Sequence, residues 1–234
     1  MRRNIVFNED CVTVMRRYPD KYFDLAIVDP IYGDVKRGGY SSGKGGGICG
    51  PSNYDNTVWE QEKTGEEYFR ELFRVSKNQI IWGGNYFVKE IGKNSPCWIV
   101  WDKCHPAGVT FADLEMAWTS FDCSAKLFRY MWNGFCQGKS IDEGHVMRGN
   151  KARNEARIHP MQKPVNLYRW IYREFDIQPG TKVLDTHLGS GTHRIAAYER
   201  DIDFVGCEIV KKYFDDQEDV FQEYTSQLRM EETI

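Results

Sequence analysis

The 234-residue chain has no apolar run long enough to cross a bilayer. Its longest such stretches, like Cys97 to Trp101, fall far short of the roughly 20 residues a spanning helix needs. The start, Met1-Arg2-Arg3-Asn4, leads into a short strand-like segment instead of a signal-peptide core, so a cytoplasmic location and no membrane partner are expected. Seven cysteines, at positions 11, 49, 97, 104, 123, 136 and 207, include no Cys-x-x-Cys pair. That argues against a disulfide framework or zinc site and for reduced, structural thiols. His105, His145, His159, His187 and His193 show no ligand spacing, so no metal is expected. The net charge of -3 lacks the cationic excess of a protein coated in nucleic acid, and there are no internal repeats.

With 41% hydrophobic and 28% charged residues, the composition is that of an ordinary globular protein. The length suits one catalytic domain over residues 1–234 with recognition loops, rather than two domains. Charge is uneven along the chain. From Arg148 to Arg173 seven basic residues, among them Lys151, Arg153 and Arg157, face only Glu155, whereas the tail from Asp215 is acidic.

Apolar runs at Asn4 to Phe7 and Asp24 to Val28, separated by a helix-like stretch from Cys11 to Tyr18, predict a strand-helix-strand start. A Gly-, Ser- and Asn-rich segment, residues 33–59, follows; a structureless loop that long is expected to have a function, such as a lid. Glu66 to Val75 reads as a helix; Gln79 to Trp82, Cys97 to Trp101, Leu114 to Phe121 and Lys126 to Trp132 read as strands. A polar, basic connector, 134–158, precedes a helix from Val165 to Phe175. Then come strand Lys182 to Asp185, a glycine turn, a helix to about Arg200, strand Phe204 to Cys207 and a long terminal helix. Alternation of this kind implies an α/β fold, a largely parallel sheet with helices on both faces.

Two motifs carry chemistry. In Val183-Leu184-Asp185-Thr186-His187-Leu188-Gly189-Ser190-Gly191-Thr192 a strand runs through Gly-x-Gly into a helix N-terminus, where backbone can approach a ligand closely. Glu208 ends the next strand, placed to accept bonds from both hydroxyls of a ribose. A nucleoside-bearing cofactor follows. Arg194 stands where a dinucleotide fingerprint has its third glycine, so S-adenosylmethionine, with no pyrophosphate, suits the turn better than NAD. The second motif, Leu25 to Gly33, is a buried strand ending in Asp29-Pro30-Ile31-Tyr32. Asp29 and the Pro30 carbonyl could accept both N–H bonds of an aromatic amine and stabilise the charge developing on its nitrogen, while Tyr32 stacks on the base. A near-match to a phosphate loop, Gly38 to Gly45, has Gly45 in place of the metal-binding hydroxyl and is set aside, and the seven tryptophans read as core.

Together these residues resemble the amino-methylating DNA methyltransferases, whose catalytic motif is Asp-Pro-Pro-Tyr and whose cofactor turn reads like Asp185 to Thr192. The catalytic motif comes first and the cofactor turn late, after His159-Pro160-Met161-Gln162-Lys163-Pro164, an order similar to the permuted beta class and to its small phage and prophage members. Asn78 to Phe87 is similar to a stretch of those members. The resemblance covers nearly the whole chain. It implies a Rossmann-like class I methyltransferase with a mostly parallel seven-stranded sheet, acting on flipped bases of double-stranded DNA, as in restriction-modification. It implies cofactor contacts by Asp10, Lys163, Pro164, Asp185, Gly189, Ser190, Gly191, Thr192 and Glu208, and catalysis by Asp29, Pro30 and Tyr32. Asp29, where cytosine N4 enzymes typically have serine, favours adenine N6 as target. N4-cytosine, RNA or protein-glutamine methylation and a non-catalytic DNA-binding relative are the alternatives. A homodimer is compatible with the class. Ile31, Met161 and His187 depart from the family pattern, and Ile31 leaves an extra N–H where the second proline stands.

Overall fold

The computed structural model describes residues 4–33, 63–104, 112–133, 136–138, 155, 157–159 and 161–231. Most of the expected loop 33–59 and of the connector 134–158 therefore lies outside the described residues, as do the basic residues Arg148, Lys151 and Arg153.

Among the described residues ten strands and six helices alternate: β1 Asn4–Phe7, α1 Cys11–Met15, β2 Phe23–Val28, α2 Glu66–Val75, β3 Ser76–Trp82, α3 Val88–Ile91, β4 Trp98–Asp102 and β5 Leu114–Thr119. They continue as β6 Lys126–Arg129, β7 Met131–Asn133, β8 Cys136–Gly138, α4 Val165–Glu174, β9 Lys182–Asp185, α5 Thr192–Glu199, β10 Asp203–Cys207 and α6 Lys211–Glu231. The main sheet has eight strands in the order β1-β10-β9-β2-β3-β5-β4-β6. This corrects the seven strands expected. The eighth is β6, which pairs parallel with β4 from Ile99↔Lys126 to Asp102↔Arg129 and buries Phe128 while exposing Leu127. The expected strand Lys126 to Trp132 is broken at Tyr130, and β7 leaves to form a separate hairpin with β8. Pairing is parallel except where β5 runs antiparallel between β3 and β4.

Side-chain alternation in the central strands explains the two helical layers. Leu25, Ile27, Ile80, Trp82, Val183 and Phe204 point to one core with α4 and α5, which contribute Leu167, Ile171, Ile195 and Ala196. The intervening Ala26, Val28, Ile81, Leu184 and Val205 point to the other, with Met15 of α1, Phe69 and Leu72 of α2 and Ile91 of α3. Helices on both faces are thus dictated by central strands with consecutive apolar runs, Leu25 to Val28, Ile80 to Trp82 and Val183-Leu184.

Successive elements run outward from β2 through β3 on one side, and from β9 through β10 to the β1 edge on the other. The chain order reverses between β2 and β9, which pair through Leu25↔Val183 and Ala26↔Leu184. The carboxyl ends of those two strands therefore open a crevice of the kind in which open α/β sheets bind ligands. After β3 the chain turns through Gly83 and a short 3-10 segment, Gly84–Tyr86, pressed on β5: a Cβ at Gly84 would lie 2.6 Å from Trp118 Cβ and 2.8 Å from its backbone nitrogen.

Gly84→Ala should therefore lower stability by about 1–3 kcal/mol through overpacking against backbone that cannot yield. Gly65→Ala, where the new methyl meets nothing within 4 Å, is the control. Urea denaturation midpoints compare the two; equal midpoints would mean that this turn does not lie so close to β5.

Candidate active site at the carboxyl edge of the sheet

The strand β2 is buried from Leu25 to Val28, and Pro30, without an amide hydrogen, ends its ladder. The turn that follows is held at two points. The Ile31 carbonyl accepts from the Thr64 backbone N–H at 2.8 Å. The Tyr32 ring stacks on Tyr86, centroids 4.6 Å apart and planes 17° from parallel. Gly83 makes room for that stack: its φ is +65° and an added Cβ would sit 2.9 Å from Tyr32 Cδ1. A side chain there would be strained and would also displace the ring.

Asp29 is mostly buried, its side chain 21% exposed, and its Oδ2 accepts from the ammonium of Lys163, whose side chain is 4% exposed. That ammonium also lies 3.4 Å from Glu115 Oε2 on β5 and 5.4 Å from the Trp82 ring centroid. Lys103 completes the group by donating to Glu115 Oε1. Among the described residues Asp29 Oδ1 has no hydrogen-bond partner. Burial raises the Asp29 carboxyl above the usual carboxylate range, Lys163 pulls it back in part, and Glu115 adds to the rise. Burial acts on Glu115 in the same direction, but Lys163 and Lys103 outweigh it and hold that carboxyl down at about 2. Burial would lower Lys163, yet Asp29 and Glu115 more than offset this and keep it charged.

Across the crevice, β9 ends in Asp185, and Gly189 and Gly191 take left-handed φ of +54° and +74° to turn the chain into α5. Asp185 faces inward. Its Oδ1 accepts the His187 N–H at 3.0 Å and its Oδ2 lies 2.7 Å from His193 Nδ1, while His193 Nε2 is 2.8 Å from the Tyr172 hydroxyl. Tyr168 stacks on His193 with centroids 4.3 Å apart. The anion drawn to the turn is the protein's own: Glu208 Oε2 accepts the Gly189 N–H at 2.9 Å and Oε1 accepts the Val210 N–H at 2.8 Å. Two of the four or so lone-pair positions of its carboxylate are used. Asp10 follows β1 and caps α1, one oxygen accepting from the Thr13 N–H at 2.8 Å, with the residue exposed. His187 is partly buried and hydrogen-bonded to Thr186, which meets the Tyr68 hydroxyl at 2.6 Å; desolvation lowers its imidazole to about 4.

The segment before α4 joins the two halves. Its Lys163 carbonyl accepts from Thr192 Oγ1 at 2.8 Å, at the start of α5. Trp132 Nε1 donates to the Gln162 carbonyl at 2.7 Å, and Pro164 stands at the N-cap of α4. Glu155 caps that helix with both oxygens 3.1 Å from the Val165 N–H. Burial raises its carboxyl to about 7. The His159 ring lies against Gly189 and edge-on to Tyr213 at 4.4 Å.

Asp29, Pro30, Tyr32 and Lys163 thus meet at the end of β2, and Asp185, Gly189, Ser190, Gly191, Thr192 and Glu208 at the ends of β9 and β10, with Asp10 beside them after β1. Lys163 meets Asp29 by its side chain and Thr192, at the end of the glycine turn, by its backbone carbonyl. Sequence reasoning missed Glu115, Lys103, Tyr86 and the His193–Tyr172 pair. Glu115, a lone carboxylate ahead of Met116-Ala117-Trp118 in a strand, was a visible signal; the others become neighbours only through folding.

The residues from 94 to 219 match the model of a family described as DNA methylase, more than half of the 234-residue chain. The match begins downstream of Asp29, so the place of that acid rests on geometry. Among solved structures, a Thermus thermophilus protein described as a putative DNA modification methylase is 17% identical, with 94% of each chain covered and a TM-score of 0.56. The complex of M1.HpyAVI with SAM is 18% identical, covering 92% of this chain and 97% of that one, TM-score 0.53. The PvuII DNA methyltransferase, cytosine-N4-specific, is 11% identical, covering 91% and 84%, TM-score 0.56. These likenesses establish a shared Rossmann-like methyltransferase fold, and with the family match they show that the chain belongs to the N6/N4 DNA methylase family.

Proposed function

We propose that this DNA methylase transfers a methyl group from S-adenosylmethionine, the cofactor of its family, to the exocyclic N6 of adenine in double-stranded DNA. The observation that carries the reading is the divided carboxylate of Asp29: Oδ2 is held by Lys163 while Oδ1 has no partner among the described residues. A neutral aromatic amine is a poor nucleophile because its lone pair is delocalised into the ring. Asp29 Oδ1 and the Pro30 carbonyl accept its two N–H bonds, favour a pyramidal nitrogen and free the lone pair. Bound S-adenosylmethionine supplies a methyl group activated by its sulfonium. Attack by that lone pair would place positive charge on the amine nitrogen, which the fixed carboxylate stabilises until one N–H proton is released to solvent. Tyr32, backed by Tyr86, offers a face on which the flipped base stacks.

The cofactor reading is supported by the donor set at the second turn. Glu208, with lone pairs left beyond its two backbone bonds, accepts from ribose hydroxyls; Asp10 lies toward the adenine; Asp185, Ser190, Thr192 and the glycines form the turn; Lys163 and Pro164 border the methionine end. Motif order, with Asp29 before the cofactor turn, supports the permuted beta class, and the likeness of Asn78 to Phe87 to a stretch of small phage and prophage members supports a phage context. Segments 33–59 and 134–158 of the single domain are the DNA-contacting loops in this reading, and a homodimer is compatible with it. Adenine is preferred because position 29 is aspartate. Methylation of cytosine N4 is the second reading, favoured by the fold shared with the cytosine-N4-specific PvuII enzyme.

Transfer of labelled methyl to unmethylated duplex DNA, followed by nucleoside analysis, should yield N6-methyladenine. N4-methylcytosine would keep the mechanism and overturn the base, and label appearing only in RNA or protein would overturn DNA as substrate. Asp29→Ala should cut the transfer rate by about 10²–10³-fold or more, the scale of losing one preorganised electrostatic contact, with cofactor affinity nearly intact by calorimetry; equal loss of both would refute the role. Glu208→Ala should weaken cofactor binding roughly tenfold or more, the scale of a charge-assisted hydrogen bond, with the rate recovered at high cofactor. Unchanged affinity would remove the ribose contact.

A further inference from the structure

We infer that Glu115, outside both motifs, is a positioning residue for the transfer: it holds the Lys163 ammonium so that the lysine occupies one oxygen of Asp29 and leaves the other to the target amine. The inference rests on the methyl-transfer reading above and adds a residue to that site.

Lys163 is nearly fully buried, and its ammonium sits on a four-carbon stem with free rotations. With Asp29 as sole partner the ammonium could slide between both carboxylate oxygens and block the amine. Glu115 Oε2 at 3.4 Å and the Trp82 face at 5.4 Å fix it from other directions. Glu115 is itself anchored, through Lys103 on Oε1 and through β5, where it lies opposite Trp101 of β4. Two carboxylates and two ammonium groups make the cluster neutral. Without Glu115 a net positive charge would remain beside a nitrogen that becomes positive in the transition state, opposing the reaction in a site where charges are poorly screened. Among the described residues, the other titratable groups that act on or feel Asp29 include Asp185 of β9, Tyr32 of its own turn and Tyr168 of α4.

The signature is a pair of opposite pH shifts. Asp29 must be ionised to accept the amine, so activity falls as pH drops through its raised pKa. Removing the neighbouring negative charge in Glu115→Gln should move the acidic limb of kcat to lower pH by about one unit. Lys163→Met, which removes the positive partner, should move it to higher pH by a similar amount. At the pH plateau Glu115→Gln should lose roughly 10- to 100-fold in kcat, the scale of a misplaced reacting group, with cofactor Kd unchanged. Glu115→Asp keeps the charge with a shorter reach and should lower kcat without shifting the limb, which keeps the test valid if the glutamine variant folds poorly. A wild-type limb in Glu115→Gln, or an unchanged plateau, would overturn the inference while leaving the methyl-transfer reading intact. No transfer by the wild-type protein to any substrate would overturn both.

Discussion

A buried ammonium group organises the candidate site. Moving an isolated lysine charge out of water costs several kcal/mol even after relaxation, so Lys163 in its buried position requires carboxylates on hand. They come from distant parts of the chain: Asp29 is 134 residues away, at the end of β2, and Glu115 comes from the antiparallel strand β5. One ion cluster therefore ties the end of β2, β5 and the segment before α4 together at the carboxyl edge. Such a cluster is weak evidence for stability, since well-packed apolar residues could replace it at little cost, whereas removal of one partner costs roughly 3–5 kcal/mol. Its value lies in geometry. It fixes which oxygen of Asp29 is engaged and offsets part of the rise that burial imposes on its carboxyl.

The glycine turn across the crevice is held on a different principle, by hydrogen bonds among the protein's own groups. The sequence alone points Asp185 at the ligand, but its oxygens are committed to the His187 amide and to His193, which leans on Tyr172 and stacks on Tyr168. Glu208 holds the same turn by accepting from the Gly189 amide. The turn is thus braced on both sides before any ligand arrives, a preorganisation that lowers the cost of ordering it on binding. The two halves share one residue, because the Lys163 carbonyl is bound by Thr192 while its ammonium holds Asp29. A shift of the segment before α4 must move both.

What could be read from the sequence follows from the range of the forces involved. The limits of β1, β9 and α2 matched the apolar patterning because local periodicity decides them. The break of the Lys126 to Trp132 stretch into β6 and β7, the short helix α3 and the strand β8 depend on which neighbour each segment meets, and no local pattern announces that. The same holds within the site. The places of Asp29, Tyr32, Gly189, Gly191 and Glu208 were legible because strand ends and tight turns decide them. Tyr86 reaches Tyr32 only through the left-handed turn at Gly83, and Glu115 reaches Lys163 only because β5 inserts between β3 and β4.

That non-local support bears on Ile31, which takes the place of the second proline in the family motif. Proline would stiffen the turn by fixing φ, an entropic contribution that acts largely through the unfolded chain, of about 0.4–1 kcal/mol. Here the Ile31 carbonyl is bound by the Thr64 amide, the next side chain is clamped between Tyr86 and the bare backbone of Gly83, and the preceding acid is locked by Lys163. A hydrogen bond, an aromatic stack and a buried ion pair, each of a magnitude comparable to or above the lost proline constraint, hold the turn from three sides. The departure at Ile31 removes one stiffening element from a turn already held in place by its neighbours, and leaves the acid, the Pro30 carbonyl and the aromatic ring together at the end of β2, as the proposed amine chemistry requires.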